Sequence, residues 1–165
     1  MEDTPLSDSD IQEWLPRCKI LEYDWLQKVE TIDELLPNDT DYCFILYERE
    51  NHVGHWICVL KYGGMIEHFD SFALKPDEEL KWISKQKRKE LNCFVPYLSN
   101  LYKNSSYKIT WNKYKYQNEK ANTCGRWCVL RILYGFAREE PLYQWMKKWK
   151  VKGQTNDDFV INVIK

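Results

Sequence analysis

A chain of 165 residues has the length of one ordinary domain, and an apolar fraction of 44% with eight Trp, eleven Tyr and six Phe excludes a disordered chain; a single packed domain over 1–165 is predicted. No apolar run reaches the ~18 residues that cross a bilayer, the acidic start Met1-Glu2-Asp3-Thr4 is unlike a secretion signal, and six scattered cysteines without a Cys-x-x-Cys pair predict free thiols in a reducing, intracellular compartment. The net charge of −1 hides an asymmetry, with 19 acids against 6 bases in residues 1–80 and 6 acids against 18 bases in residues 81–165.

In chain order, Ser9-x-x-Gln12 and Thr31-x-x-Glu34 have the form of capping boxes and predict two short helices, the second ending before Pro37. The β-prone runs Tyr42–Tyr47 and Trp56–Leu60 flank a polar turn, and Gly63-Gly64 separates the second from Met65–Phe69, which predicts a three-stranded meander. Asp77 is expected to cap a helix running through Leu80, Trp82 and Ile83 to about Leu91, with its basic face outward. Tyr107–Trp111 predicts a further strand. From Cys124 or Gly125 to Ala137 the sequence is apolar nearly all round, as in a buried central helix. Leu142–Met146 and Asp157–Ile164 predict two closing helical elements.

Four residues in this frame are candidates for chemistry. Cys124 opens the buried helix behind the potential caps Asn122 and Thr123, where backbone N–H groups and the helix dipole favour a thiolate and an oxyanion. Gly125 beside it leaves room for a substrate. His55 opens a strand, a position from which an imidazole can serve as general base. Asp70 ends the next strand; antiparallel pairing brings it out at the same end as His55, where a carboxylate orients the imidazole. Gln117, seven residues before Cys124, can donate an amide N–H to an oxyanion without titrating. Taken singly, each has an ordinary reading: a packed thiol, a surface histidine, a turn carboxylate, a solvated glutamine.

Together, Gly54-His55-Trp56, Phe69-Asp70-Ser71-Phe72, Gln117 and Thr123-Cys124-Gly125 occur in an order that resembles the adenain and ubiquitin-like-protein protease superfamily, over roughly Tyr42 to Tyr134. The resemblance implies an α+β, papain-like cysteine protease fold with permuted triad order, a central mixed sheet flanked by helices, and the catalytic Cys124 at the N-terminus of a buried helix. It implies a triad of His55, Asp70 and Cys124, Gln117 in the oxyanion hole, and Trp56 walling a cleft narrow enough to favour glycine and other small residues. The run Asp70–Pro76 looks most like the short maturation proteases of DNA viruses, virophages and large transposons. That likeness implies capsid precursors as polypeptide substrates and a life in the host cytoplasm, virus factory and virion.

Two other functions stay open on the same residues: a deconjugase acting on ubiquitin or a ubiquitin-like modifier, and a non-catalytic module binding nucleic acid or capsid. The basic tracts Lys85, Lys87, Arg88, Lys89 and Lys147, Lys148, Lys150, Lys152 could contact DNA or a peptide activator. No cofactor and no metal is expected, because His52, His55 and Cys124-x-x-x-Cys128 lack a recognisable zinc spacing.

Overall fold

The computed structural model describes residues 3–50, 53–92, 95–136 and 138–165, the side chain of Glu50 excepted. Its centre is a five-stranded mixed sheet in the order β1-β2-β3-β4-β5. The strands are β1 (Lys19–Glu22), β2 (Asp41–Glu50), β3 (Val53–Tyr62), β4 (Met65–Phe69) and β5 (Lys108–Trp111). The meander β2-β3-β4 is antiparallel as expected, and the edge strands β1 and β5 add in parallel. Gly63 and Gly64 both take positive φ (55° and 72°) and close the β3-β4 hairpin, where residues with a Cβ rarely fit.

Side-chain alternation sends the strands into two cores. Cys43, Ile45, Tyr47, Ile57 and Val59 face a layer containing Tyr23, Leu26, Leu80 and Leu98. Phe44, Leu46, Trp56, Cys58 and Leu60 face the central helix α5. Both faces are covered, so β2 and β3 read as unbroken apolar runs. The helices are α1 (Asp8–Trp14), α2 (Ile32–Leu35), α3 (Lys85–Glu90), α4 (Tyr97–Lys103), α5 (Cys124–Tyr134), α6 (Leu142–Trp149) and α7 (Asn156–Val163). Helix α5 is buried along its whole length except at Leu133, which is 48% exposed. Trp127 at its centre is fully buried, and its loss to Ala costs about 3–5 kcal/mol.

Several local expectations are corrected. The first capping box is Ser7 with Asp10, two residues earlier than Ser9 with Gln12. Thr31 does cap α2, but the Glu34 carboxylate turns back to the Glu30 N–H instead of completing a box. The helix predicted from Asp77 to Leu91 is two pieces, a 3₁₀ turn Glu78–Trp82 and α3 with its own cap, Ser84. Ile83 between them is extended and buried, which breaks the helix to fill the core. Asp77 sits at φ 68° and does not cap the turn that follows it; its carboxylate accepts instead from Tyr23 and from the first-turn N–H of Ser99 in α4. The central helix stops at Tyr134, with Gly135 at φ 102°; Ala137, His52 and Cys93 lie outside the described residues. The strand β1 and helix α4 carry no expectation from sequence. Among the described residues no helix is long and apolar enough to cross a membrane.

Candidate active site

His55 stands near the start of β3, opposite Tyr47 of β2 and beside an irregularity in the β2-β3 pairing. A Cβ on the preceding Gly54 would lie 1.9 Å from the Tyr47 carbonyl oxygen, so only glycine permits this approach of the two strands. The imidazole is buried and stacked on Phe72, with centroids 4.7 Å apart and planes at 21°. Its Nε2 lies 2.9 Å from Asp70 Oδ1. Asp70 follows β4 directly and is fixed from two sides. The Phe72 N–H donates to Oδ1 at 2.8 Å, and the Asn112 side chain bonds both the Asp70 N–H (3.0 Å) and its carbonyl (2.7 Å).

Cys124 is the first residue of α5. Neither expected cap is used: the Thr123 hydroxyl donates to Asp157 Oδ1 at 2.6 Å, and the Asn122 amide donates to the Asp3 carbonyl. The first helical N–H groups therefore stay free of a side-chain cap, at the end of α5 where the dipole favours negative charge. The Trp56 N–H donates to Cys124 Sγ at 3.4 Å. Burial pushes this thiol up, but the hydrogen bond and charge of His55, with the N–H groups of Trp56 and Gly125, outweigh it and hold Cys124 below the usual thiol range. Burial likewise pushes His55 down, and the Asp70 charge and hydrogen bond together with Cys124 overcome it, raising the imidazole to about 10. The favoured resting state is a thiolate beside an imidazolium. With Nε2 engaged by Asp70, Nδ1 is the ring nitrogen left for the sulfur. Burial drives other thiols the opposite way, Cys18 up to about 12 and Cys43 and Cys128 well above their ordinary value.

The Gln117 side chain is clamped at both ends. Its Oε1 accepts from the Ser71 hydroxyl at 2.6 Å, and its Nε2 donates to the Ala121 carbonyl at 2.6 Å. One Nε2 hydrogen remains, in a cleft of about 110 Å³ walled by Gln117, His55, Cys124, Pro5 and Phe72. The Trp56 indole N–H donates to the Leu6 carbonyl at 3.0 Å. Two expectations are corrected here: Gly125 leaves no room for a substrate, because a Cβ there would meet Leu6 Cβ at 3.1 Å and Trp56 Cδ1 at 3.2 Å, and Trp56 packs on the helix with Leu6 instead of walling the cleft. A roomier cavity of about 320 Å³ near Tyr114, Arg131 and Tyr143 contains none of these residues.

All four candidate residues thus meet at one end of the sheet, while His68 is a packed residue bonded to the Tyr102 hydroxyl at 2.9 Å and held neutral by burial. Sequence reasoning missed Ser71, Asn112, Leu6 and Glu79. The Glu79 carboxylate reaches to 3.9 Å from His55 Nε2 from the 3₁₀ turn. Ser71 alone carried a signal, its adjacency to Asp70.

No protein-family model matches the chain. The uncharacterized protein V9 of Sputnik virophage is 41% identical over 137 residues, which span 80% of this chain and 77% of V9. Among solved structures, ChlaDub1 from Chlamydia trachomatis superposes with a TM-score of 0.51 at 14% identity, over 99% of this chain and 91% of that one. The C-terminal Ulp1 protease domain in complex with Smt3, the yeast ortholog of SUMO, gives a TM-score of 0.49 at 14% identity, over 98% of this chain and 75% of that one. On an α+β, papain-like protease fold, the chain belongs to the family of the virophage protein V9.

Proposed function

We propose that the protein is a cysteine endopeptidase with Cys124 as nucleophile, His55 as general base and acid, Asp70 as the group that orients it, and Gln117 with backbone amides as the oxyanion hole. The observation that carries this reading is the electrostatic coupling of Cys124 and His55, one thiol lowered and one imidazole raised, on a ring held at 2.9 Å by Asp70. The thiolate attacks the scissile carbonyl, and the oxyanion is received by the free Gln117 Nε2 hydrogen and the Cys124 N–H. The imidazolium gives its proton to the leaving amine. His55 then takes a proton from water, which cleaves the thioester and restores the thiolate.

The proposed substrates are structural precursors of a virus particle, cut at small-residue, glycine-containing sites. The kinship with a virophage protein supports the viral setting. The small volume of the cleft beside Cys124, about 110 Å³, supports the preference for small residues. Precursor peptides with and without glycine at the scissile position, offered beside ubiquitin-like conjugates, test both halves. Cleavage of the glycine peptides by the wild type and not by Cys124→Ala is the expected result. Cleavage of the conjugates alone makes the protein a deconjugase. Absence of any turnover together with salt-sensitive DNA binding makes it a binding module through its exposed basic helices.

A further inference from the structure

Glu79 is 3% exposed, and neither of its carboxylate oxygens has a hydrogen-bond partner among the described residues. Asp70 Oδ2 beside it is buried and equally unpartnered. A buried carboxylate without donors is among the costliest arrangements in a protein interior, and each such group calls for a reason. Failure of the local backbone to supply donors is not that reason. Two residues earlier, Asp77 receives the hydroxyls of Tyr23 and Tyr47 and the N–H of Ser99.

Both carboxylates meet at the imidazole, Asp70 Oδ1 at 2.9 Å and the unpartnered Glu79 Oε1 at 3.9 Å from His55 Nε2. His55, Asp70 and Glu79 are all buried, and one nitrogen or oxygen from each lies within 4.8 Å of the others. A tetrahedral zinc ion with bonds of about 2.0–2.2 Å holds its ligand atoms roughly 3.3–3.5 Å apart, so His55 Nε2 and Asp70 Oδ1, now 2.9 Å apart, need to open slightly, while Glu79 Oε1, 3.9 Å from Nε2, needs to close in slightly. One imidazole and two carboxylates form a ligand set suited to a divalent transition metal rather than to calcium or magnesium.

We propose that His55, Asp70 and Glu79 form a regulatory site for a divalent transition metal of the zinc class, and that its occupancy turns the enzyme off. Binding at Nε2 displaces the proton that His55 shares with Asp70, and that proton goes to solvent. The ring's remaining proton then sits on Nδ1, facing Cys124. No ring lone pair is left to take a proton from water in the second half of the reaction. The inhibition rests on the protease reading; the binding does not.

Cobalt titration of the full-length protein, followed by visible absorption and competed with zinc, tests the site directly. One equivalent is expected in the wild type and in Cys124→Ala alike, without a thiolate-to-cobalt charge-transfer band. Glu79→Gln is expected to weaken binding at least ~10-fold, since even outer partners of metal ligands are worth that much. If Glu79→Gln does not fold, Glu79→Asp serves, with weakened affinity expected and unchanged affinity overturning the site. Absence of stoichiometric binding, loss of binding in Cys124→Ala, or equal affinity in the Glu79 variant overturns the proposal. Wild-type turnover is expected to fall in step with zinc occupancy and to return on chelation. An active enzyme indifferent to its bound ion overturns the switch, whereas stoichiometric binding by a chain with no turnover overturns the protease reading instead.

Discussion

Asp77 and Glu79 are buried carboxylates two residues apart, and the fold treats them in opposite ways. Asp77 Oδ1 accepts from Tyr23 at 2.7 Å and Tyr47 at 3.0 Å, its Oδ2 accepts from the Ser99 N–H at 2.7 Å, and the two tyrosine rings stack at 4.7 Å. It ties β2 to the layer formed by the Tyr23–Lys28 turn and α4, and it leaves nothing open. Around His55, by contrast, Asp70 Oδ2 and both Glu79 oxygens have no donor among the described residues. A saturated polar node serves stability, whereas unsaturated groups collect where a proton or a ligand has to come and go.

That contrast is sharpest at the sulfur. Cys124→Ala is expected to remove turnover by a factor on the order of 10⁶ while the melting temperature stays near that of the wild type. Limited alkylation at neutral pH should label Cys124 ahead of the buried Cys18, Cys43 and Cys128, whose thiols burial pushes up. In His55→Ala this advantage should vanish. Asp70→Asn is expected to lower kcat by about 10³–10⁴ in a protein that still folds; near-normal turnover would mean that Glu79 or another group orients the ring. At Asp77 the pattern inverts. Asp77→Ala leaves the Tyr47 hydroxyl and the Ser99 N–H without their acceptor, and Tyr23 with only the Val95 carbonyl; it should cost about 3–5 kcal/mol in urea unfolding, with kcat per folded molecule little changed.

The pH dependence follows from the signs of the two shifts. Below the lowered Cys124 value the thiolate is protonated and activity is lost; above about 10 the imidazolium is lost and no acid remains for the leaving amine. Activity should therefore form a plateau that declines about tenfold per unit as pH rises past about 10. A decline centred near the ordinary histidine value would break the assignment of the ion pair.

Much of this was legible in the sequence for physical reasons. The strands β2, β3 and β4 announce themselves because alternating residues fill two cores, and Gly63-Gly64 marks the one turn that needs positive φ on both residues. Helix α5 announces itself because it is buried nearly all round. The four candidate site residues were visible as a set in order along the chain, although no single one was distinctive. Glu79 was not visible, since Glu78-Glu79 after a capping Asp77 reads as the charged first turn of a helix, whereas the 3₁₀ turn Glu78–Trp82 buries Glu79. The grouping of His55, Asp70 and Glu79 was hidden as well, because its three members come from a strand, a strand end and a 3₁₀ turn with no shared spacing. Strand β1 is four residues long at a sheet edge and carries too little pattern to declare itself.

The smallest effect tests whether the corner around Cys124 also contains a saturated node of its own. Gln117 can help an oxyanion only if its amide presents nitrogen to the cleft, and an amide rotated by half a turn presents oxygen, which repels the developing charge. The Ser71 hydroxyl selects the useful orientation because it has a proton to give and Gln117 Oε1 accepts it at 2.6 Å, while the Ala121 carbonyl confirms the choice at the other end. Removing the hydroxyl withdraws one of two restraints, worth about 1 kcal/mol. Ser71→Ala should then lower kcat roughly fivefold with KM unchanged, because the interaction lost acts on the transition state rather than on bound substrate. Gln117→Ala should cost far more, and Ser71→Ala made in that background should cost nothing further. A full additional loss in the double variant would show that Ser71 acts by some route other than the amide it holds.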